Sequence, residues 1–127
     1  MRGLAASLAP LLISVFVASS AIAQATFTGL GDLAGGDFFS NAHGVSADGS
    51  IIAGSSLVDF GGVREAYRWD ATNGMQGLGD PPGGSFSSVA IGISADGSTI
   101  VGELHPTQTT LEGFRWDAIN GMQGDLA

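Results

Sequence analysis

Cysteine is absent from this chain of 127 residues. The protein therefore forms no disulfide, offers no thiol nucleophile and has no thiolate ligand for a metal ion. Residues 24–127 form a short segment, and a short segment buries only a limited hydrophobic core. Packing alone must stabilise whatever fold this segment adopts.

Positive charge is almost as scarce. The chain has no lysine and four arginines; apart from Arg2, residues 24–127 carry three arginines against all twelve acidic residues, a net charge of −9. Nucleic acids and anionic membrane surfaces are bound through clustered Lys and Arg side chains. We therefore expect neither of them as a partner.

The main apolar stretch lies near the N-terminus. It extends from Leu8 to Ala18, after Arg2 and before the small residues of the segment 21–23. This order is typical of a cleavable secretory signal, and the run is shorter than the roughly 20 residues that a membrane-spanning helix requires. We expect a signal peptide over residues 1–23, a mature chain without a membrane span, and a secreted location, extracellular or periplasmic.

Most of the remaining sequence consists of two similar copies in tandem. Residues 29–54 align with residues 77–102 with 17 of 26 positions identical, and residues 65–77 align with residues 112–124 with 10 of 13 identical. Such a period indicates a supersecondary unit that stacks on copies of itself. We predict a repeat region over 24–127, with unit one at 29–76, unit two at 77–123 and the start of a third unit at 124–127.

Apolar residues within each unit alternate over short stretches bounded by turn residues. In the second unit this predicts strands over 88–94, 99–104 and 112–117 and a fourth from Met122, and Asp-Gly and Asn-Gly pairs supply the turns. We predict an all-β chain of two tandem four-stranded antiparallel units that resemble β-propeller blades. Because a closed propeller has at least about four blades, the array is incomplete. A two-layer sandwich and a β-solenoid are the alternatives.

The strand over 88–94 differs from its first copy on one face. Simple alternation places Val89, Ile91 and Ile93 together, and the first copy has Asn41 and His43 in place of the first two. We hypothesise that this face of the first unit is turned toward water, whereas the second unit expects cover from another sheet.

Three motifs recur in the same order in both units. In the first unit they are Gly-Leu-Gly-Asp-Leu-x-Gly-Gly at 29–36, Val-Ser-Ala-Asp-Gly-Ser at 45–50 and Ala-Tyr-Arg-Trp at 66–69. The chain in this respect resembles the HAF family of probable extracellular repeats. The second copy departs from the pattern at Pro81-Pro82 and at Gly113-Phe114. The resemblance implies export and a β-rich repeat array, and it brings no catalytic residues.

Acidic residues are the first candidates for chemistry. Asp32, Asp37 and Asp80 lie near glycine-rich turns, where carboxylates can bind Ca²⁺. Paired carboxylates also suggest glycoside hydrolysis, for which the repeated pairs are Asp32 with Asp80, Asp48 with Asp96, Glu65 with Glu112, and Asp70 with Asp117. Repeated acids tend toward equal environments, whereas a catalytic pair needs unequal ones. We therefore predict structural roles for these residues, with turn capping by the aspartates beside glycine, and no catalytic, metal-binding or cofactor-binding residue among them.

Histidine, tryptophan and arginine are the other candidates. His43 and His105 are the only histidines, and neither recurs in the other unit, so we expect no catalytic or metal site at either. Trp69 and Trp116, with Tyr67 and Phe114, could form a platform for sugars, but their alternating strands favour packing in the core. Arg68 and Arg115 are expected in ion pairs, for Arg68 with Glu65 or Asp70.

The segments 55–64 and 103–111 differ between the units, and binding determinants often vary in such loops. Taken together, the sequence predicts a secreted acidic β-repeat protein with a structural or adhesive scaffold role, without catalysis or a cofactor. Self-association or a longer array is the expected partnership. A fragment of a secreted carboxylate-dependent hydrolase and a truncated remnant of a longer repeat protein are the alternatives.

Overall fold

The computed structural model describes residues 3–7, 9–14, 23–81 and 87–124. All regular structure in these residues is β-strand, arranged as two open antiparallel sheets of four strands each, which confirms the predicted fold class. Within these ranges there is no helix of the length and apolar character needed to cross a membrane. Parts of the predicted signal peptide (1–2, 8 and 15–22) and of the predicted third unit (125–127) lie outside the described residues.

Each sheet is a simple meander in which consecutive strands pair. The first sheet contains β1 (Ser40–Val45), β2 (Ile51–Leu57), β3 (Arg64–Asp70) and β4 (Gly74–Gly77). The second contains β5 (Ser87–Ile93), β6 (Thr99–His105), β7 (Glu112–Asp117) and β8 (Gly121–Gly124). The register is also duplicated, since Ile52 lies opposite Trp69 and Ile100 lies opposite Trp116. Duplicated sequence thus corresponds to duplicated pairing.

The turn between β1 and β2 is built on one carboxylate. Asp48 Oδ1 accepts hydrogen bonds from the Ser46 hydroxyl at 2.8 Å and from the Ser50 N–H at 3.0 Å. Gly49 has φ of +77°, a conformation that glycine adopts without a steric penalty. The second unit repeats this arrangement over residues 94–99. The predicted Asp-Gly turns are therefore confirmed.

A second carboxylate holds the turn between β3 and β4. Asp70 Oδ1 accepts from the backbone N–H groups of Thr72 and Asn73 and from the Asn73 side-chain amide, at 2.9–3.0 Å. Gly74 follows at φ +71°. Asp117 performs the same task in the turn between β7 and β8. Asp48, Asp70, Asp96 and Asp117 thus serve turn formation, in agreement with the predicted structural role.

A β-bulge interrupts the alternation of β1 and of β5. The register shifts between Ala42 and Gly44 in β1 and between Ala90 and Gly92 in β5. Because the bulge adds one residue, Ile93 pairs with Ile100 and lies on the same face as Ala90. The prediction that Ile93 shares a face with Val89 is therefore wrong.

Directly opposed residues share a face of a sheet, so each sheet has two faces that we name after their repeated residues. The Trp face carries Trp69 in the first sheet and Trp116 in the second, and the Arg face carries Arg68 and Arg115. The Arg face of the first sheet packs on the Trp face of the second. Their buried core comprises Ala53, Ala66, Leu78, Ala90, Ile100, Leu104, Phe114 and Met122. Complete burial of a side chain such as Leu104 contributes about 1.5–3 kcal/mol.

Hydrogen bonds also join the two sheets. His43 Nδ1 lies 2.7 Å from Ala90 O, Ala47 N donates to Ala95 O at 2.8 Å, and Ala66 N donates to Ser88 Oγ at 2.9 Å. His43 itself remains exposed, and its equivalent Ile91 is 50% exposed, so the cover expected for Ile91 is not found, whereas the Arg face beside His43 is covered by the second sheet. The small residues Gly44, Ala53 and Ala66 make this face the one on which the second sheet can seat closely.

Candidate functional site

A groove of about 1070 Å³ lies between the two units at the end of the sheets that carries the repeated turns. The first unit contributes Ile51, Arg68 and Gln76, and the second contributes its two turns at 96–99 and 117–120. Gly97 lies against the Ile51 side chain, where a Cβ would collide with it. The groove therefore depends on the close seating of the second unit's Asp-Gly turn on the first sheet.

The arginines of the groove are held by neighbouring carboxylates. Arg68 donates from a guanidinium nitrogen to Asp70, and Arg115 donates in the same way to Asp117. Arg115 also lies 3.4 Å from Thr99 Oγ1. The predicted ion pair of Arg68 is confirmed with Asp70. These pairs leave the groove with fixed, largely compensated charges rather than a free cationic site.

Hydrogen bonding keeps the Asp-Gly turn carboxylates ionised. The N–H and hydroxyl of Ser50, together with the Ser46 hydroxyl, lower the pKa of Asp48 from 3.8 to about 2. The Ser94 hydroxyl, followed by Ser98, lowers the pKa of Asp96 to about 2. A carboxylate with so low a pKa is an acceptor at neutral pH and does not serve as a general acid there.

The pKa values of the carboxylates in the Asn-Gly turns are lowered as well. The Asn73 side-chain amide, its backbone N–H and then the Arg68 guanidinium keep the pKa of Asp70 well below its ordinary value. Asn120, through its side chain and N–H, does the same for the pKa of Asp117, with a contribution from the Arg115 guanidinium. Two of the predicted carboxylate pairs thus have closely equal environments, which is the opposite of what an acid and base pair needs.

These pKa shifts predict a loss of stability in acid. A carboxylate with a folded pKa of about 2 and an ordinary value of 3.8 stabilises the fold fully above about pH 4, and this contribution disappears as the pH falls through about 2. We expect the urea midpoint, followed by tryptophan fluorescence, to decrease between about pH 4 and about pH 2. The double variant Asp48→Asn with Asp96→Asn should show a smaller decrease, because asparagine accepts hydrogen bonds but does not titrate. An equal decrease of the urea midpoint in the wild type and in the double variant would contradict this account.

The aromatic candidates belong mainly to the packing. Tyr67 and Phe114 are buried, which confirms their predicted core role, and burial raises the pKa of Tyr67. Trp69 and Trp116 are partly buried, and Trp116 packs against the core while also lining the groove. One tryptophan is therefore available to a ligand in the groove.

The metal candidates are not brought together. Within the described ranges no group of three or more His, Asp or Glu side chains is arranged to hold a metal ion. Asp32 instead lines a small cavity of about 310 Å³ with Phe38 and Phe39. His43 contacts Ala90 O, as described above, and His105 ends β6 opposite Ser87.

The two variable loops lie at the end of the sheets away from the groove. In the first, Asp59 Oδ1 accepts from Gly61 N at 3.0 Å and from Val63 N at 2.8 Å. In the second, the hydroxyls of Thr107 and Thr110 lie 2.9 Å apart. Both loops are ordered by their own polar groups. The prediction that binding determinants vary in these loops stays a prediction.

The groove itself is the feature that sequence reasoning missed. Its signal was present, because turns that recur in phase in two stacked meanders must meet at the same end of the molecule. No protein family profile matches the chain, and neither curated proteins nor solved structures provide a significant match. Its function must therefore be inferred from the residues and their geometry.

Proposed function

We propose that the chain is a secreted, acidic β-repeat protein of the HAF type with a structural or adhesive scaffold role and without catalysis. This proposal rests on the observation that the repeated aspartates form turns. Asp48, Asp96, Asp70 and Asp117 each accept several hydrogen bonds within their own turn, and their pKa values are lowered. A carboxylate-dependent hydrolase needs one carboxyl group with a raised pKa.

The motifs that resemble the HAF family coincide with turn-forming and core-forming positions. The segment 45–50 contains the Asp48 turn, and the segment 66–69 contains the buried Tyr67 and the paired Arg68. Residues repeated for such reasons maintain a scaffold, and a scaffold has functional value through the surfaces it presents. The groove at one end and the variable loops at the other are the surfaces proposed for adhesion.

The alternatives explain fewer observations. A hydrolase fragment would require two carboxylates in unequal environments, and in the groove Asp96 and Asp117 both have lowered pKa values. A remnant of a longer array agrees with the open faces at either end of the sheet pair, but it does not account for the fully formed turns and core more economically than a scaffold does.

The test is expression of the whole chain in a bacterial host. We expect protein outside the cytoplasm with Gln24 as its first residue, saturable binding of the labelled mature protein to the surface of secreting cells, and no turnover of chromogenic glycosides, esters or peptides. An Asp96→Asn and Asp117→Asn double variant is the matched control for turnover. Activity that this variant lacks would contradict a non-catalytic role, and retention in the cytoplasm would contradict export.

A further inference from the structure

The packing of the two sheets leaves one face of each sheet without a neighbouring sheet. Inside the chain, the Arg face of the first sheet contacts the Trp face of the second. The Trp face of the first sheet and the Arg face of the second therefore have no neighbouring sheet, although Ser56 and Tyr67 on the former are completely buried and Leu33 N donates to Ser56 Oγ there. The duplication allows each open residue to be compared with a buried counterpart in the other unit.

The Trp face of the first sheet keeps the apolar character of its buried counterpart. Val45 is 58% exposed, while Ile93 at the equivalent position packs against the core. Ile52 is partly buried, while its equivalent Ile100 is completely buried. The same comparison holds for Ala42 with Ala90 and for Met75 with Met122. The residues suited to receive a sheet are present, and their cover is not supplied by either sheet of the chain.

The Arg face of the second sheet shows the complementary pattern. Val101 is 46% exposed at the position where the first sheet has the buried Ala53. Gly113 is exposed at the position of the buried Ala66. Ile91 at the bulge is 50% exposed; its equivalent His43 is also exposed but contacts Ala90 O of the neighbouring sheet. Small and apolar residues thus occupy the surface that, in the first sheet, accepts another sheet.

Polar contacts of the internal interface also have counterparts on the open faces. The Ala47 N–H donates to Ala95 O inside the chain. Equivalent groups on the outer surfaces are the N–H of Ala95 and the carbonyl of Ala47. Likewise, Ser88 Oγ accepts a hydrogen bond from the Ala66 N–H of β3. The counterpart of Ser88 on the Trp face of the first sheet is Ser40. A second chain that packs on the Trp face of the first sheet, as the second unit packs on its Arg face, would therefore pair hydrogen-bond donors with acceptors and also bury apolar groups.

We propose that these two faces bind each other between copies of the chain, so that the Trp face of one copy's first sheet docks on the Arg face of another copy's second sheet. The internal interface is the template for this contact. Two substitutions relative to that template, Val101 for Ala53 and Ile91 for His43, increase the apolar surface available to it. The inference concerns surfaces alone and stands apart from export and from the absence of catalysis.

The proposed contact is head to tail, since two different surfaces meet. Such a contact closes into a ring when the rotation permits and otherwise extends as a filament. Propellers typically contain about four to eight blades, so a ring of two-unit chains would contain about two to four copies. The net negative charge opposes association, and screening by salt should therefore strengthen it.

Two variants of the mature chain test the proposal by light scattering after size exclusion. Val45→Arg blocks the Trp face of the first sheet, and Val101→Arg blocks the Arg face of the second. We expect wild type to have the mass of about two to four chains and each variant to be a folded monomer. An equimolar mixture of the two variants should give a dimer, because each retains the surface that the other lacks. Gln108→Arg, in an exposed loop, adds the same charge and should keep the wild-type mass.

Three outcomes would overturn the proposal. Wild type could be a folded monomer at every accessible concentration, with the strand signal in circular dichroism intact. The two variants could remain monomers when mixed, which would exclude complementary surfaces. Val45→Arg alone could keep the wild-type mass, which would indicate a symmetric contact that does not use the Trp face of the first sheet.

Discussion

Replacement of Gly102 by alanine is expected to lower the free energy of unfolding by about 3 kcal/mol. A Cβ at this position would collide with Val89 O and Ala90 Cα, and also with the Phe114 ring. Two of these obstacles are backbone atoms of β5 beside its bulge, which cannot rotate away as a flexible side chain can. The loss is a large fraction of the total stability of a small domain, which is about 5–15 kcal/mol.

Urea unfolding measured by tryptophan fluorescence checks this expectation. Gly113→Ala in the adjacent strand is the matched control, since the nearest atom to its Cβ would be Gly102 O at 3.9 Å, and the first unit already has Ala66 there. We expect the control to change stability by less than about 1 kcal/mol. Similar losses for both variants would contradict the assigned cause, because the lower unfolded-state entropy of alanine stabilises a strand position and cannot produce a loss.

Replacement of Ile100 by alanine should cost about 3–4 kcal/mol, because the side chain is completely buried in the core between the sheets. Ile52 is the same residue at the equivalent position of the first unit, and it is only partly buried. Ile52→Ala should therefore cost roughly half as much. The pair isolates burial as the variable, since the residue type, strand position and cross-strand tryptophan are all shared.

This comparison should be made at protein concentrations low enough to keep the chain monomeric. Thermal unfolding followed by circular dichroism supplies the midpoint of each variant. Equal costs for Ile52→Ala and Ile100→Ala under these conditions would contradict the assigned packing of the two sheets. If copies associate as proposed, the cost of Ile52→Ala should increase with concentration while that of Ile100→Ala changes little.

Local features of the fold could be predicted because their causes are local. The Asp-Gly and Asn-Gly turns need positive φ at Gly49, Gly74, Gly97 and Gly121, and the structure has these conformations. Asp48 and Asp70 bind backbone N–H groups two or three residues away, so their roles follow from short spacing. Duplication then ensured that a correct prediction for one unit held for the other.

The faces of β5 could not be read from alternation. The bulge beside Ala90 changes which residues share a side, and nothing in the spacing of Val89, Ile91 and Ile93 marks it. The sequence likewise did not show which face of each sheet contacts the other sheet, because both faces carry residues that tolerate burial. Burial of Ala53 and Ala66 in one cluster with Ile100 shows which face of the first sheet meets the second.

The amino-acid sequence alone determined the strands, the turns and the duplication, since these depend on side chains close together in the chain. Only the tertiary structure decided which faces pack, where the groove lies and which residues stay open. Those features depend on contacts between residues such as His43 and Ala90, which the sequence separates by a whole unit. Identical motifs acquire different surroundings in this way: Ile100 is enclosed between two sheets, whereas Ile52 lies on a face that neither sheet of the chain covers.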